Sequence, residues 1–306
     1  MKSSVGRWGR VATAIGLALA GLAGTAVTAG ATAEDAAAPE ASTKSTTVLL
    51  VHGFDGGDSA VGDTPLDSKT VCDRGAMKIW RDGLLARGWT DVRTVGYYKG
   101  DQCLLNIPTS VRSNNTISTS IDELAKEFAN LVWVNFTSRG RPVAISAHSM
   151  GGLVTRRALD GVMNREPGFP PGMWVQDVVT SGTAHNGALM SGLCPPFVIR
   201  QCDEMRPASL FLLFLDKNPQ GRDLTGASRS TDWTLIGSEC DIVVPAISAT
   251  TMDRVNTSRP EVFKKVFTRP AILAGGCLNP AGLDHTETAT HPAALDRIST
   301  SLGNRD

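Results

Sequence analysis

Largely apolar runs of strand length alternate with stretches of helical periodicity along most of this chain. Runs without regular polar alternation are typical of strands that are buried on both faces, as in a parallel sheet. The pattern therefore predicts about six strands, at residues 46–51, 92–97, 143–146, 174–182, 233–237 and 271–274.

Helical patterns fill the intervals between these strands. Apolar residues within 117–131 recur at spacings of four and three, which is the period of a helix that covers one face of a sheet. Further helices are predicted at residues 76–86, 153–159 and 292–302. Alternation of strand and helix predicts an α/β fold, with a mostly parallel sheet of about six strands and helices on both faces.

A strongly apolar stretch at residues 210–215 interrupts the regular alternation. Pro207 comes shortly before this stretch and Asp216 directly after it. The sequence leaves three interpretations open: a helix that packs on the core, a short helix that borders a binding pocket, or a mobile lid.

The first 33 residues are organised like a secretory signal peptide. A basic start is followed by an apolar run from Val11, and residues 31–33 offer a small-residue cleavage site. The run is rich in Ala and Gly and is interrupted by Thr. It therefore resembles a cleaved signal rather than a membrane anchor, which would need about 20 strongly apolar residues.

The remaining chain divides into a tether and one domain. Residues 34–45 are rich in Ala, Pro, Ser and Thr without periodicity, which predicts disorder, and residues 46–306 are long enough for one sizeable core. Removing the three basic residues of the signal from the 30 in the chain leaves 27, against 30 acidic ones. Because no basic patch is evident, the sequence does not favour a nucleic-acid partner. We expect a secreted monomer without a stable membrane span.

All six cysteines lie in the part that would be exported. An even number in an oxidising compartment predicts three disulfides, for which 15 connectivities exist. A zinc site is the alternative, but neither Cys-x-x-Cys nor His-x-x-x-His spacing occurs. Pairing of sequence neighbours is the simplest choice and gives Cys72–Cys103, Cys194–Cys202 and Cys240–Cys277.

A strand-turn-helix signature is centred on Ala147-His148-Ser149-Met150-Gly151-Gly152. This is the context of a nucleophile elbow, in which a serine stands on a strained turn and small neighbours let the helix approach the strand. Ser149 is the candidate nucleophile, and the amide of Met150 is a candidate oxyanion donor. An ordinary Ser/Gly turn in a βα unit is the alternative.

The first predicted strand leads directly into His52-Gly53-Phe54-Asp55-Gly56-Gly57. Beside a serine elbow such a loop supplies the second oxyanion donor, here the backbone amide of Phe54. An ordinary glycine turn is the alternative. His52 precedes the nucleophile and lies at the strand end, so we expect it to brace the loop.

A nucleophilic serine requires a base within hydrogen-bond reach. After Ser149 the chain offers three histidines. His185 comes too early, directly after the strand that follows the elbow, and is expected in a loop beside the pocket. His291 precedes Pro292 and suits a capping or surface role. His285 follows the last predicted strand and is the candidate base.

The base in turn needs an acid, which this order of elements places after the penultimate strand. Asp241 follows the strand at 233–237 closely and is the candidate. Glu239 and Asp253 are its rivals, whereas Asp284 is expected to face solvent.

Together these pieces resemble the secreted bacterial lipases and esterases of the α/β-hydrolase superfamily. The Streptomyces-type branch, related to the small Bacillus lipases, is the most similar and shares the alanine at position 147. Only about a dozen residues would precede the first strand after cleavage, so the resemblance implies a minimal version of the fold without two leading antiparallel strands. The matching segments are Val-Leu-Leu-Val-His-Gly-Phe (48–54), Ala-His-Ser-Met-Gly-Gly (147–152), Ser-Gly-Thr-Ala-His-Asn-Gly (181–187), Cys-Asp-Ile-Val-Val-Pro (240–245) and Leu-Asp-His-Thr-Glu-Thr (283–288).

The resemblance implies a triad of Ser149, His285 and Asp241, with the amides of Phe54 and Met150 as the oxyanion hole. It implies hydrolysis of carboxylic esters, above all acylglycerols, with transient contact to a lipid–water interface and no cofactor or metal. An acyltransferase or polyester hydrolase with the same triad is one alternative. A catalytically idle binding protein on the same scaffold is the other.

Overall fold

A computed structural model of the chain describes residues 44–54, 72–98, 100–107, 115–194, 199–217, 231–252, 262–267 and 284–303. The signal peptide expected at residues 1–33 lies outside this part, as do most of the expected tether and the strand expected at 271–274. The described residues all belong to one compact unit, Ala41–Asp306.

Seven parallel strands form one sheet within the described residues. The strands are β1 (Thr47–Val51), β2 (Val92–Gly96), β3 (Leu105–Asn106), β4 (Val143–His148), β5 (Val175–Ser181), β6 (Asp232–Ser238) and β7 (Val262–Phe267). They lie in the order β3-β2-β1-β4-β5-β6-β7, and every neighbouring pair is parallel. The expected α/β class with a parallel sheet is confirmed. Five of the six predicted strands correspond to β1, β2, β4, β5 and β6, whereas β3 and β7 are additional to the prediction.

The helices follow the predicted pattern, with a correction at the start of one of them. Ile117 is buried but lies outside its expected helix, because the side chain of Ser120 accepts a hydrogen bond from the Glu123 amide and begins the helix there. The helices are α1 (Gly75–Leu85), α2 (Ile121–Asn135), α3 (Met150–Met163), α4 (Arg200–Glu204), α5 (Leu210–Lys217), α6 (Ala246–Ala249), α7 (Glu287–Thr290) and α8 (Pro292–Ser301).

The core lies on both faces of the sheet. Along β1, Leu49 and Val51 pack with residues of α2 and α3, whereas Val48 and Leu50 pack with residues of α1 and α8. Successive side chains of a strand point to opposite faces, so this alternation puts helices on both sides of the sheet. The prediction of an apolar strand buried on both faces is thereby confirmed.

The apolar stretch at residues 210–215 is the first part of α5. Leu212 and Leu215 are buried in the core, which supports the core-packing interpretation. Leu210 and Phe214 are exposed and border an open cavity of about 910 Å³ together with Arg157 of α3. One face of α5 therefore packs on the core and the other borders a cavity.

Two of the expected disulfides are formed, Cys72–Cys103 and Cys194–Cys202. Cys240 is also disulfide-bonded, and Cys277, its expected partner, lies outside the described residues. In the described part of the chain, no helix combines the length and the apolar character needed to cross a membrane.

Candidate active site

Ser149 stands alone between the end of β4 and the start of α3. Its backbone angles are φ 54° and ψ −128°, a left-handed conformation that costs free energy for any residue with a side chain. The Ser149 amide donates to the Ser181 carbonyl (2.9 Å), and its own carbonyl accepts from the Gly152 amide (3.1 Å). These bonds hold the strained turn that the elbow motif predicts.

Three glycines are required where the chain segments meet at this turn. A Cβ on Gly151 would overlap the carbonyl oxygens of Val51 and His52 at the end of β1. A Cβ on Gly53 would lie 2.7 Å from the Ser149 Cβ, and one on Gly152 would overlap Thr183. The small residues therefore let β1, β4 and α3 converge around the serine.

The structure brings Ser149, His285 and Asp241 into one line of hydrogen bonds. His285 Nε2 lies 2.8 Å from Ser149 Oγ, and His285 Nδ1 lies 2.7 Å from Asp241 Oδ2. A carboxylate only accepts, so a neutral His285 donates from Nδ1 to Asp241 and leaves Nε2 free to accept the serine proton. This is the arrangement of a nucleophile, its base and an orienting acid.

The carboxylate of Asp241 is fixed at both oxygens. Asp241 Oδ1 accepts from the amides of Val243 (2.9 Å) and Val244 (2.8 Å), while Oδ2 faces His285. Gly182, with φ 57°, covers this contact: a Cβ there would lie 3.1 Å from Asp241 Oδ2. The tight turn after β6 thus aims the acid at the base.

The rival residues lie elsewhere. Glu239 and Asp284 are exposed, as expected for Asp284, and Asp253 lies outside the described residues. His291 Nδ1 accepts from the backbone amide of the second α8 residue (3.2 Å), so its capping role is confirmed.

His185 lies in the loop directly after β5, as the sequence predicts. Its side chain is fully buried, 3.2 Å from Thr180 Oγ1. Burial and the nearby Arg156 charge hold the pKa of His185 well below its ordinary value. It is a neutral core residue.

The two expected oxyanion donors flank the serine. Met150 is the first residue of α3, so its amide belongs to the helix N-terminal groups that lack an acceptor within the helix. Phe54 is half-buried and directly follows Gly53, which contacts Ser149. Both backbone segments are thus adjacent to the nucleophile.

His52 is bound within the loop after β1. Its ring nitrogens lie 2.8 Å from the Gly53 carbonyl oxygen and 3.0 Å from Asp101 Oδ2. Its ring stacks on Tyr97 at 4.0 Å between centroids, and the Tyr97 hydroxyl donates to the carbonyls of His52 and Gly53. These contacts match the bracing role expected from the sequence.

His148 contacts the candidate base, His285, and the sequence gives no sign of this contact. His148 Nε2 lies 2.7 Å from the His285 carbonyl oxygen, and the two ring centroids are 4.7 Å apart. In the motif His148 is only the residue before the serine, and its contact with residue 285 exists only in the folded chain. Within the described ranges, no three His, Cys, Asp or Glu side chains are grouped as metal ligands would be.

The chain matches no family model and no curated protein. Its fold is similar to that of Aspergillus fumigatus lipase B (TM-score 0.53, 16% identity), over 88% of this chain and 55% of that protein. It is also similar to mature Bacillus licheniformis lipase BlEst2 (TM-score 0.52, 12% identity, 85% and 93% of the two chains) and to phospholipase PlaB from Legionella pneumophila (TM-score 0.52, 14% identity, 86% and 59%). The chain thus spans little more than half of the Aspergillus and Legionella proteins. These likenesses establish that it shares the α/β fold of lipases.

Proposed function

We propose that this protein is a serine hydrolase that cleaves carboxylic esters through Ser149, His285 and Asp241. The observation that carries the proposal is the continuous line of hydrogen bonds from Ser149 Oγ to His285 Nε2 (2.8 Å) and from His285 Nδ1 to Asp241 (2.7 Å). The strained backbone at Ser149 and its position at the carboxyl edge of the sheet support the same role.

In the proposed mechanism, Ser149 Oγ attacks the ester carbonyl while His285 Nε2 removes its proton. Asp241 holds the base in the required tautomer and stabilises the imidazolium. The amides of Phe54 and Met150 bind the oxyanion of the tetrahedral intermediate, and loss of one such donor lowers the rate by about 10²–10³-fold. His285 then protonates the leaving alcohol, and water releases the carboxylic acid from the acyl-enzyme by the same steps.

Acylglycerols are the substrates that we infer. The similar solved structures bear the names of lipases and a phospholipase. Large apolar side chains are also exposed beside the acid: Ile242, which follows Asp241, is 73% exposed, and Leu189 is 61% exposed. The Leu189 amide donates to the Val243 carbonyl (2.9 Å), so the two side chains belong to joined loops. Such a surface suits transient contact with a lipid–water interface.

The same proposal includes the cellular context. We infer a signal peptide at residues 1–33, a tether at 34–45 and a catalytic domain at 46–306 that acts outside the cell as a monomer. The two described disulfides suit an oxidising compartment. Kinship with the Streptomyces-type secreted lipases remains part of this proposal and rests on the motif at residues 147–152.

Ser149→Ala tests the nucleophile. We expect kcat for a dissolved short-chain ester to fall by about 10⁶-fold, because the base then has no hydroxyl to activate. Labelling of the protein by a fluorophosphonate should disappear as well. The control is Ser118→Ala at an exposed serine, which should retain both. Full esterase activity in Ser149→Ala would refute the proposal.

The substrate class is tested by measuring acid release from emulsified long-chain triacylglycerol and from a short-chain ester. Cleavage of both supports the inferred lipase, and cleavage of the short ester alone indicates a carboxylesterase. Transfer of the acyl group to an added alcohol, or erosion of a polyester film without triacylglycerol cleavage, would favour the alternatives with the same triad. No reaction of folded, oxidised protein with any of them would indicate an idle scaffold.

A further inference from the structure

The backbone carbonyl of the proposed base accepts two side-chain hydrogen bonds. His148 Nε2 and Thr288 Oγ1 each lie 2.7 Å from the His285 carbonyl oxygen. His148 is the last residue of β4 and directly precedes Ser149, whereas Thr288 belongs to α7, just after the base. One carbonyl thus connects the nucleophile strand, the base and the helix that follows it.

The chemistry of the acceptor determines the form of His148. Burial, and then the charge of His285, lower the pKa of His148 to about 3, so its ring is neutral near pH 7. A carbonyl oxygen only accepts hydrogen bonds, and a neutral imidazole has a single N–H. The proton of His148 is therefore on Nε2, and the ring donates to His285.

The packing of His148 restricts the ring as well. Its centroid is 4.7 Å from that of His285, with the planes tilted by 48°. On another side it meets the ring of Trp80 in α1 edge-on, at 6.4 Å between centroids. His148 therefore contacts both the backbone and the ring of the base from the chain position next to the nucleophile.

We propose that His148 is a positioning residue. By donating a hydrogen bond to the His285 carbonyl, it holds His285 where His285 Nε2 is within hydrogen-bond distance of Ser149 Oγ. Thr288 is the second donor to this carbonyl. This inference rests on the proposed function. Donation, rather than size alone, is the property required at position 148. Because His148 directly precedes Ser149 in the chain, its hydrogen bond fixes the position of His285 relative to the strand that leads to the serine.

The test compares two amide substitutions of similar polarity and different reach. In His148→Gln the amide NH₂ extends to about the position of Nε2, whereas the shorter side chain in His148→Asn ends near that of Nδ1. We expect kcat for a short-chain ester to fall about 10-fold in His148→Asn, as for one lost hydrogen bond, and to stay within about threefold in His148→Gln. KM should change by less than about twofold in both, because the contacts of the His148 ring are with His285 and Trp80.

A spectroscopic measurement reads the position of the base without turnover. The downfield NMR resonance of the His285 Nδ1 proton, identified by its loss in His285→Gln, reports the bond to Asp241. It should shift or broaden in His148→Asn and keep its wild-type position in His148→Gln. A response of this resonance together with an active Ser149→Ala protein would mean that positioning stands and the proposed function fails.

Thr288→Val supplies a second test should the His148 variants not fold. Loss of this donor should move the His285 resonance and lower kcat about threefold, which is less than in His148→Asn because His148 also contacts the His285 ring. In the double variant with His148→Asn, the loss should exceed the product of the single losses, since both donors share one acceptor. Equal kinetics and equal spectra of His148→Gln and His148→Asn would overturn the proposal. If only Thr288→Val can be studied, an unchanged kcat together with an unmoved His285 resonance would overturn the proposal.

Discussion

The proposed nucleophile and its two proposed partners are held in place by different interactions. Around Ser149 the backbone itself is constrained. Its φ is 54°, and the glycines between β1, β4 and α3 leave no room for a side chain at their positions. Asp241 follows β6, and backbone amides orient its carboxylate. His285 precedes α7, and its carbonyl accepts a hydrogen bond from a side chain. One region is fixed by steric exclusion and the other by hydrogen bonding.

This difference indicates how each region should fail. Overlap with a backbone carbonyl cannot be relieved by a side-chain rotation, so changes at the serine turn should lower the free energy of unfolding. A hydrogen-bonded group can lose its orientation while the fold persists, so changes at the acid and base should lower the rate first.

Among changes that separate the two regions, Asp241→Asn should have the largest effect, on activity. The new amide would still accept from Val243 and Val244 through its oxygen, but its NH₂ would face His285 Nδ1 and stabilise the wrong tautomer. We expect kcat to fall about 10⁴-fold, with the melting temperature nearly unchanged. Steady-state hydrolysis of a short-chain ester measures this.

Asp284→Asn is the matched control, one residue from the base. Its carboxylate is exposed and accepts from the Glu287 amide, which an asparagine oxygen can also do. Activity should stay close to that of the wild type. An Asp241→Asn protein with more than about a tenth of wild-type kcat would contradict the acid role and hence the contrast between the two regions.

Gly151→Ala should have the next largest effect, and mainly on stability. The added methyl group would overlap the carbonyl oxygens of Val51 and His52, which are backbone atoms of a central strand. We expect the free energy of unfolding to fall by about 3 kcal/mol or more, as measured by urea denaturation.

Gly192→Ala provides the comparison for that measurement. Among the described residues other than its chain neighbours, none has an atom within 4 Å of a Cβ added at Gly192, so the change in the free energy of unfolding should stay within about 0.5 kcal/mol. Equal stability of Gly151→Ala and Gly192→Ala would show that the turn at Ser149 is not sterically fixed.

The smallest effect expected near neutral pH is that of replacing His148, which changes how stability depends on acid. The folded pKa of His148 is about 3, below the value of about 6.5 for an unfolded histidine, so acid between these values favours the unfolded chain. His148 therefore contributes stability above about pH 6.5 that is lost progressively as the pH falls toward 3. Its share of the slope is at most about 1.4 kcal/mol per pH unit.

His148→Gln should flatten this dependence, since glutamine does not titrate. Urea denaturation at several pH values between 3 and 8 measures the difference between the two proteins. Carboxyl groups with lowered pKa values, such as Asp122 and Asp91, are present in both, so their contribution cancels. Parallel curves would mean that His148 takes up its proton as easily in the folded as in the unfolded protein.

The two regions differ also in how far the sequence predicts them. Among the interior strands, β1 is a nearly continuous apolar run, whereas β5 also contains Gln176 and Asp177. The predicted bounds of β1, β4, β5 and β6 agree with the observed ones within about two residues. The sequence does not predict β3 and β7, the strands at the two edges of the described sheet. β3 has only two residues, and β7 contains Lys264 and Lys265, both exposed, as is common where a strand pairs on one side only.

The sequence alone determined the local part of this protein: the α/β alternation, the glycine-lined turn at Ser149 and the candidate order of serine, acid and base. Each of these is encoded by neighbours in the chain, since burial on two faces requires apolar runs and a strained turn requires small residues. The tertiary structure alone decided which groups meet: His148 with the His285 carbonyl, and His185 with the buried core. Such contacts join residues up to 137 positions apart, and their geometry depends on how strands and helices pack rather than on any local pattern.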